Sequence, residues 1–269
     1  MDSLDVLKGR TWDACIDTCA YVPRAVRIAA GVLSGNVNRY LLISTISVYK
    51  DPVAGSDEDA PMIEEGDPSN EVVDSESYGF LKVLCEREVV ASFGPEALLI
   101  RPGIVIGPHD PTDRFTYWVA RIGSEAKVIS PAGPDRPVQW IDARDLGTFA
   151  LHALEGGLTG PYNVVGEPTT LRGVLGTIRS ELNPSCEFVE LDMESHSIAP
   201  WTDLPLVVDP GYGTFQLSIK KAAASGLSTR TLSASVGDTD AWWREQGRDL
   251  KTGLSWERHS ELLTGTATA

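Results

Sequence analysis

Runs of apolar residues alternate with stretches of helical periodicity along the first part of the chain. Three runs indicate buried strands, at residues 12–20 (WDACIDTCA), 40–49 (YLLISTISVY) and 96–108 (EALLIRPGIVIGP). Apolar residues recur at helical spacing between them, at 23–34 and 77–93, and the first of these helices begins with a proline suited to a first turn. The order strand, helix, strand, helix, strand predicts a parallel sheet flanked by helices, in a protein of the α/β class.

After residue 108 the strand and helix signals alternate less regularly. Residues 138–154 indicate a short strand that runs into a helix, 160–166 indicate another strand, and 170–182 indicate a helix that two glycines weaken. The remainder, to about residue 260, has the composition of a smaller mixed α/β lobe. The polar, acidic segment 50–76 is long for a loop, which favours a functional or mobile role.

Composition narrows the class of protein. The 269 residues are 42% hydrophobic and 23% charged, which is ordinary for a globular chain. No apolar run reaches the roughly 18 residues that span a bilayer, and the first residues lack the apolar core of a secretory signal. The net charge is −15 and the Lys and Arg residues are scattered, which argues against a nucleic-acid groove. We therefore expect a cytoplasmic protein with neither a membrane nor a nucleic acid as partner.

Cysteine and histidine give no metal motif. The four cysteines contain no C-x-x-C pair, and the four histidines are far apart in sequence. We expect no metal site, and we expect the cysteines to be small buried residues of a reduced protein.

Tyr78 and Lys82 lie four positions apart in the predicted helix 77–93, so they share one helix face. An ammonium group beside a phenol stabilises the phenolate and lowers a tyrosine pKa that is ordinarily about 10. Such a phenol can exchange a proton with a substrate hydroxyl or carbonyl. An ordinary exposed helix shows the same spacing by chance, so the pair alone is weak evidence.

Two further segments add candidate chemistry. Ser44, Thr45 and Ser47 follow the second strand, and the carboxyl ends of parallel strands are where α/β folds bind ligands. Their hydroxyls can hold a substrate oxygen, or they can merely turn the chain. After the third strand comes a dense polar and aromatic set that could line a substrate pocket. Its members are His109, Asp110, Asp113, Arg114, Tyr117 and Trp118.

These motifs in this order resemble the extended short-chain dehydrogenase/reductase family, which includes the NAD-dependent sugar epimerases and dehydratases. The order is S-T-x-x-V-Y after a strand, an acidic insertion, Y-x-x-x-K on a helix, L-x-x-R-P-x-x-x-x-G-P, and V-Q-W-I-D-x-R-D-L. The resemblance extends from about residue 11 to 182. It implies a Rossmann-type parallel sheet over residues 1–150 and a mainly substrate-binding lobe over 151–269, with the two interleaved.

The resemblance also implies roles for particular residues. Thr45 matches the hydroxyl that holds the reacting oxygen, Tyr78 the acid/base, and Lys82 the residue that lowers the tyrosine pKa and contacts the nicotinamide ribose. Pro102, Gly103, Ile104 and Val105 match the segment that approaches the nicotinamide of NAD or NADP. Ser47, His109, Arg114, Tyr117 and Trp118 are candidates for binding a small polar substrate. A homodimer through the two helices 23–34 and 77–93 is expected from the same family.

One family feature has no counterpart in the sequence. The strand, G-x-x-G-x-x-G turn and helix that hold a dinucleotide pyrophosphate do not occur. The resemblance implies that the chain begins at the family's fourth strand, so that the first three strands are absent and the edge of the strand 12–20 is bare. A start assigned too late, a partner chain or second copy on that edge, or a true loss of dinucleotide binding would each account for this.

Three functions remain open at this level. The first is an NAD(P)-dependent enzyme of the epimerase, dehydratase or reductase type, with Tyr78 as acid/base. The second is a lyase, isomerase or cyclase that works without the cofactor. The third is a relative without catalysis that binds a ligand or partner through the same pocket.

Overall fold

The computed structural model describes residues 4–265. Its strands are β1 (Trp12–Asp17), β2 (Val37–Ile43), β3 (Leu98–Pro102), β4 (Ile104–Ile106), β5 (Lys127–Pro131), β6 (Pro137–Val138), β7 (Trp140–Asp142), β8 (Gly160–Val164), β9 (Thr169–Thr170) and β10 (Glu187–Leu191). Its α-helices are α1 (Pro23–Leu33), α2 (Tyr78–Phe93), α3 (Arg114–Ser124), α4 (Ala143–Glu155), α5 (Leu171–Leu182), α6 (Lys220–Ala224), α7 (Leu232–Arg244) and α8 (Trp256–Thr264). None of these helices is long and apolar enough to cross a membrane.

The main sheet is parallel, with strand order β1-β2-β3-β8. Alternate side chains of a strand point to opposite faces, and the sheet follows this rule. Tyr40 and Leu42 of β2 pack with α1 and α2, whereas Leu41 packs on the other face with α4. The predicted α/β class, with a parallel sheet between layers of helices, is therefore confirmed.

Three predicted strands differ in their details. β1 ends at Asp17 and is half exposed, with Ile16 40% accessible, because it is an edge strand that pairs with β2 alone. The second strand covers Val37–Ile43, and the hydroxyl-rich residues after it form a turn and a 3-10 helix at Ile46–Val48. The apolar run 96–108 divides at Gly103, because β4 leaves the main sheet to pair with β7.

The remaining elements form a second packed region. β5 pairs with β10, β6 pairs with β9, and α3 packs against α5 and α7. The core there contains the fully buried rings of Tyr117 and Trp118. Chain segments from both halves contribute to this region, since β5 and β10 are far apart in sequence.

The acidic segment 50–76 is tied to the sheet and to the later chain. The Glu58 carboxylate accepts the backbone N–H of Asn163 at 2.8 Å, and the Gly55 N–H donates to the carbonyl of Gln216 at 2.7 Å. Gly213 lies so close to this segment that an added Cβ would be 2.0 Å from the Pro52 carbonyl oxygen. The segment thus links the chain around residues 213–218 to β8.

Candidate active site

Tyr78 and Thr45 open onto one cavity of about 480 Å³ at the carboxyl end of β2. Thr45 follows β2, and its hydroxyl accepts the backbone N–H of Ser47 at 3.1 Å, which fixes the turn into the 3-10 helix. Tyr78 is the first residue of α2, where the preceding turn is held by the Asp74 carboxylate through the Ser77 N–H at 2.8 Å. Two local turns therefore aim the phenol and the hydroxyl at the same space.

A glycine brings the helix and the turn together. Gly79 is buried, and an added Cβ would lie 2.4 Å from the backbone oxygen of Ser47. No other residue allows so close an approach of α2 to the 3-10 helix without a shift. The position next to Tyr78 is thus part of what places the phenol near Thr45.

The wall opposite the sheet is aromatic. Trp201 and Phe215 are stacked with ring centroids 6.0 Å apart, and Tyr212 meets Phe215 edge-on at 5.5 Å. Such a wall suits the apolar face of a ring-shaped ligand. The sequence analysis does not identify the segment 207–215, whose only signal is its glycine, proline and tyrosine residues. The full set of lining residues is Thr45, Ile46, Ser47, Tyr78, Gly103, Ile104, Arg114, Pro200, Trp201, Val207, Val208, Asp209, Tyr212, Thr214 and Phe215.

The predicted substrate residues divide into two groups. Ser47 and Arg114 line the cavity, and the Arg114 guanidinium carbon lies 5.3 Å from the centre of the Trp201 ring. Tyr117 and Trp118 are completely buried in the core, where the Trp118 indole N–H donates to the Pro205 carbonyl at 2.6 Å. His109 packs against Trp242, with ring centroids 5.4 Å apart, and is not among the residues that line the cavity.

The two rings were predicted at the surface of a pocket because they follow polar residues. They are instead in a part of α3 that is buried on all sides. An uninterrupted stretch of that helix, Phe115–Ile122, is buried.

Lys82 is buried, with only 3% of its surface exposed. Its ammonium group donates to the backbone carbonyls of Ala20, in the turn after β1, and of Ile43, the last residue of β2, each at 2.8 Å. The Tyr21 ring lies between the pair, 5.7 Å from Lys82 Nζ and 6.3 Å from the Tyr78 ring. Lys82 is therefore fastened to the ends of the strands.

The pKa of Tyr78 differs from the expectation of a lysine-lowered phenol. Burial raises the pKa of Tyr78 above its ordinary value, and the Thr45 hydroxyl and the Arg114 charge oppose that rise. Burial lowers the pKa of Lys82, against the raising effect of nearby Cys85, Asp17 and Glu86. The phenol thus carries its proton at neutral pH.

The candidate nicotinamide segment is only partly at the cavity. Gly103 and Ile104 line it, whereas Pro102 and Val105 are paired with β8 and β7. An added Cβ on Gly103 would lie 2.8 Å from the Val165 side chain, so packing within the protein already accounts for this glycine.

The turn that follows β1 is occupied by its own side chain. The Asp17 carboxylate accepts the backbone N–H groups of Cys19 at 2.8 Å and Ala20 at 3.0 Å, and the Tyr40 hydroxyl donates to it at 2.5 Å. These two N–H groups lie in the turn between β1 and α1. A carboxylate already holds them here.

A buried polar cluster lies directly behind the site. Ser44 donates to the Glu86 carboxylate at 2.5 Å, and Arg101 makes two bonds to the same carboxylate, at 3.0 and 2.7 Å. Arg101 also donates to the Tyr49 hydroxyl, which in turn donates to Asn163. Because Ser44 precedes Thr45 and Glu86 lies on α2, the cluster joins the two elements that carry the candidate site.

Comparison with known proteins identifies the family of the chain. The model of the NAD dependent epimerase/dehydratase family matches residues 19–165. No curated protein sequence gives a significant match.

Among solved structures, the fold is similar to a putative epimerase from Burkholderia cenocepacia (TM-score 0.63, 18% identity, 86% of this chain and 75% of that one). It is also similar to UDP-glucuronic acid 4-epimerase from Bacillus cereus in complex with NAD (TM-score 0.58, 15% identity, 83% of this chain and 64% of that one). A third similar structure is RMD from Pseudomonas aeruginosa complexed with NADPH (TM-score 0.59, 17% identity, 87% of this chain and 82% of that one). The structural likeness establishes the fold, and the match of the family model over more than half of the sequence establishes that this chain belongs to the NAD dependent epimerase/dehydratase family.

Proposed function

We propose that this chain is an enzyme of the epimerase/dehydratase type in which Tyr78 is the acid/base. Its substrate would be a small polar organic molecule that carries a hydroxyl or carbonyl. The observation that carries the proposal is that Tyr78 and Thr45 open onto the same cavity at the carboxyl end of β2. That is the edge at which open α/β sheets bind ligands.

Each side chain that lines the cavity has a separate proposed role. The Thr45 and Ser47 hydroxyls hold the reacting oxygen of the substrate, and the ring or apolar part lies against Trp201 and Phe215. Tyr78 donates its phenolic proton to a carbonyl oxygen, or accepts the proton of a hydroxyl in the reverse direction. Because burial keeps Tyr78 protonated, donation is the direction for which the resting site is prepared.

The cofactor of the family is NAD or NADP, which supplies hydride transfer when bound. In residues 4–265 the fit to a dinucleotide is incomplete. Gly103 and Ile104 line the cavity, where a nicotinamide end could reach them, but Lys82 does not line it and donates instead to the backbone carbonyls of Ala20 and Ile43. We therefore assign only the proton transfer to this chain's residues.

This position of Lys82 also supports a second candidate function, a lyase or isomerase that needs no dinucleotide. Titration of the purified chain with NADH and NADPH, followed by fluorescence, separates the two. Binding tighter than millimolar supports the cofactor-dependent enzyme, and weaker binding by an active chain supports the second. The homodimer, the division at residue 150 and the cytoplasmic location stay predictions.

The acid/base assignment has its own test. UDP-glucuronic acid, named for the Bacillus cereus neighbour, is the first compound in a panel of sugar nucleotides and hydroxy or keto acids, each assayed with and without NAD(P). For any substrate found, Tyr78→Phe is expected to lower kcat by about 10²- to 10⁴-fold, the usual contribution of a general acid or base. Tyr212→Phe, on the opposite wall, is the matched control. Equal activity of Tyr78→Phe and the wild type would reject the acid/base role of Tyr78.

A further inference from the structure

One cationic side chain lines the cavity onto which Tyr78 and Thr45 open. Among residues 4–265, Arg114 is the only Lys or Arg in that lining. Its Nε donates to the Thr112 hydroxyl at 3.0 Å, whereas its two Nη groups have no hydrogen-bond partner in the same part of the chain. No carboxylate of these residues lies within 4.0 Å of it. The two Nη groups therefore keep their donors for water or a ligand.

The turn before α3 fixes where Arg114 begins. Asp113 precedes it with a left-handed backbone, at φ 56°. The Asp113 carboxylate accepts bonds from both Nη groups of Arg248, at 2.6 and 2.8 Å, and from the Lys251 backbone N–H at 3.1 Å. A left-handed backbone is uncommon outside glycine and persists where the surrounding contacts hold it. These contacts therefore set the direction in which α3 presents its first side chain to the cavity.

Two further contacts hold the guanidinium itself. The Thr112 hydroxyl that accepts from Arg114 donates in turn to the Asp110 carboxylate at 2.6 Å. On the cavity side, the guanidinium carbon lies 5.3 Å from the centre of the Trp201 ring, a distance at which a cation and an aromatic face attract each other. A side chain that is already held loses less conformational entropy when it binds a ligand. Arg114 is thus prepared to bind through the part of the guanidinium that has no partner.

We propose that Arg114 binds a carboxylate of the substrate, so that the substrate of this site is a hydroxy or keto acid. A guanidinium and a carboxylate fit together through two parallel N–H···O bonds. The hydroxyl or carbonyl of the acid then lies at Tyr78 and Thr45, and its carbon skeleton lies against the Trp201 ring. This inference rests on the proposed function and narrows its substrate from a small polar molecule to an organic acid.

The charges of the cavity favour a carboxylate over a phosphate. Asp209 is the only other charged side chain among residues 4–265 that lines the cavity, and it is exposed and more than 4.0 Å from the guanidinium of Arg114. One cation is therefore available, and a carboxylate brings one negative charge. A phosphate monoester carries about 1.5 to 2 negative charges at neutral pH. Part of that charge would have no cation, in a chain whose net charge is −15.

The test compares an acid with its neutral amide. Phenyllactate and phenyllactamide have nearly the same shape, and calorimetry measures the binding of each to the whole chain. We expect the wild type to bind phenyllactate about 10- to 100-fold more tightly, the usual effect of a hydrogen bond to a charged group. Arg114→Gln is expected to bind the two compounds equally. Arg114→Lys keeps the charge but loses the planar fork, so it should retain part of the preference.

The matched control is Arg172→Gln, which changes an exposed arginine of α5 that does not line the cavity. It should keep the whole preference for the acid. The proposal is overturned if the wild type binds acid and amide equally, if phenyllactate does not bind below about 10 mM, or if Arg114→Gln keeps the preference. Tighter binding of phenyl phosphate than of phenyllactate would also overturn it, because the site would then select a phosphate.

Two further results keep the test decisive. If Arg114→Gln does not fold, the reduced preference of Arg114→Lys decides, and a full preference in that variant counts against the two-bond geometry. Tyr78→Phe is expected to keep the preference for the acid whether or not it loses activity, since binding of the carboxylate needs no proton transfer. Failure of the carboxylate site and failure of the acid/base role of Tyr78 are thus seen in different measurements.

Discussion

Arg101 and Arg121 are both almost completely buried, at 3% and 1% exposure, yet the two regions around them are built differently. Arg101, behind the candidate site, pairs with the Glu86 carboxylate and donates to the Tyr49 hydroxyl. Arg121, in the region of α3 and α8, has no carboxylate within 4.0 Å among residues 4–265. Its guanidinium lies 3.6 Å from the centre of the Trp256 ring, and its Nη2 donates to the Leu254 carbonyl.

The pKa of each guanidinium follows from this difference. Burial lowers the pKa of both, but the bonds to Glu86 and its charge outweigh burial at Arg101 and raise the pKa there. At Arg121 burial prevails, and the pKa stays below its ordinary value. The ion pair of Arg101 and Glu86 thus stabilises the region behind the site, whereas near α8 the Arg121 guanidinium packs on the Trp256 ring. Charge pairing is found where two elements must keep their relative position for Tyr78 and Thr45 to meet.

The largest effect is expected from breaking the paired cluster. Arg101→Met leaves the buried Glu86 carboxylate without its cation, and loss of one partner of a buried pair costs about 3–5 kcal/mol of the free energy of unfolding. Urea unfolding of the variant and the wild type measures the difference.

Two variants make this result specific. Arg172→Met breaks the exposed pair with Glu190, whose side chains are 61% and 47% accessible, and should cost about 1 kcal/mol or less. Combining Arg101→Met with Glu86→Leu removes both charges and should recover part of the loss. A loss at Arg101→Met as small as that at Arg172→Met would contradict the idea that the cluster locks the site.

The paired cluster also shows how far the sequence could predict the fold. The apolar runs predicted the parallel sheet and α1, α2, α4 and α5, because burial on both faces of a sheet leaves a local signal. The sequence motifs also identified Thr45 and Tyr78, which line one cavity. Both could be found because Thr45 follows a strand and Tyr78 begins a helix, and the sequence marks both positions. Glu86 and Arg101 gave no such signal: each is an ordinary charged residue until a partner 15 residues away in sequence makes its burial possible.

The same reason explains the predictions that differ from the structure. The polar residues before Tyr117 and Trp118 predict a pocket there, but α3 is buried on all sides over Phe115–Ile122 because α5 and α7 pack against it. The cavity wall at Trp201, Tyr212 and Phe215 depends on contacts between residues 52–56 and 213–218, which no local pattern encodes. The position of the Lys82 ammonium group depends on the carbonyls of Ala20 and Ile43, which are far from it in sequence.

A second, smaller effect should appear in the ring-packed region as the pH falls. His259 is 2% exposed, and burial together with the Arg121 charge lowers its pKa to about 4, from an unfolded value of 6.5. The imidazole is neutral in the fold, and its Nε2 accepts the Ile129 N–H at 3.3 Å. A lowered histidine pKa means that stability is complete above the unfolded pKa and is lost as the pH falls toward the folded pKa. Linkage over these two values gives a loss of about 2 kcal/mol between pH 7 and pH 5.

Urea unfolding of the wild type and His259→Gln at both pH values isolates this contribution, because other groups titrate equally in the two proteins. Gln keeps an acceptor for the Ile129 N–H but does not titrate, so its stability should fall by about 2 kcal/mol less over the interval. Parallel losses in the two proteins would show that His259 is not a source of the pH dependence.

The smallest effect is expected at Arg121, and it completes the contrast with Arg101. Arg121→Met removes a buried cation that has no carboxylate partner and places a thioether against the Trp256 ring, so the free energy of unfolding should change by no more than about 1 kcal/mol. The same substitution removes the charge that helps to lower the pKa of His259. That pKa should rise toward its unfolded value, and the stability lost between pH 7 and pH 5 should shrink relative to the wild type. A loss at pH 7 as large as that of Arg101→Met would mean that the two buried arginines stabilise the fold in the same way after all.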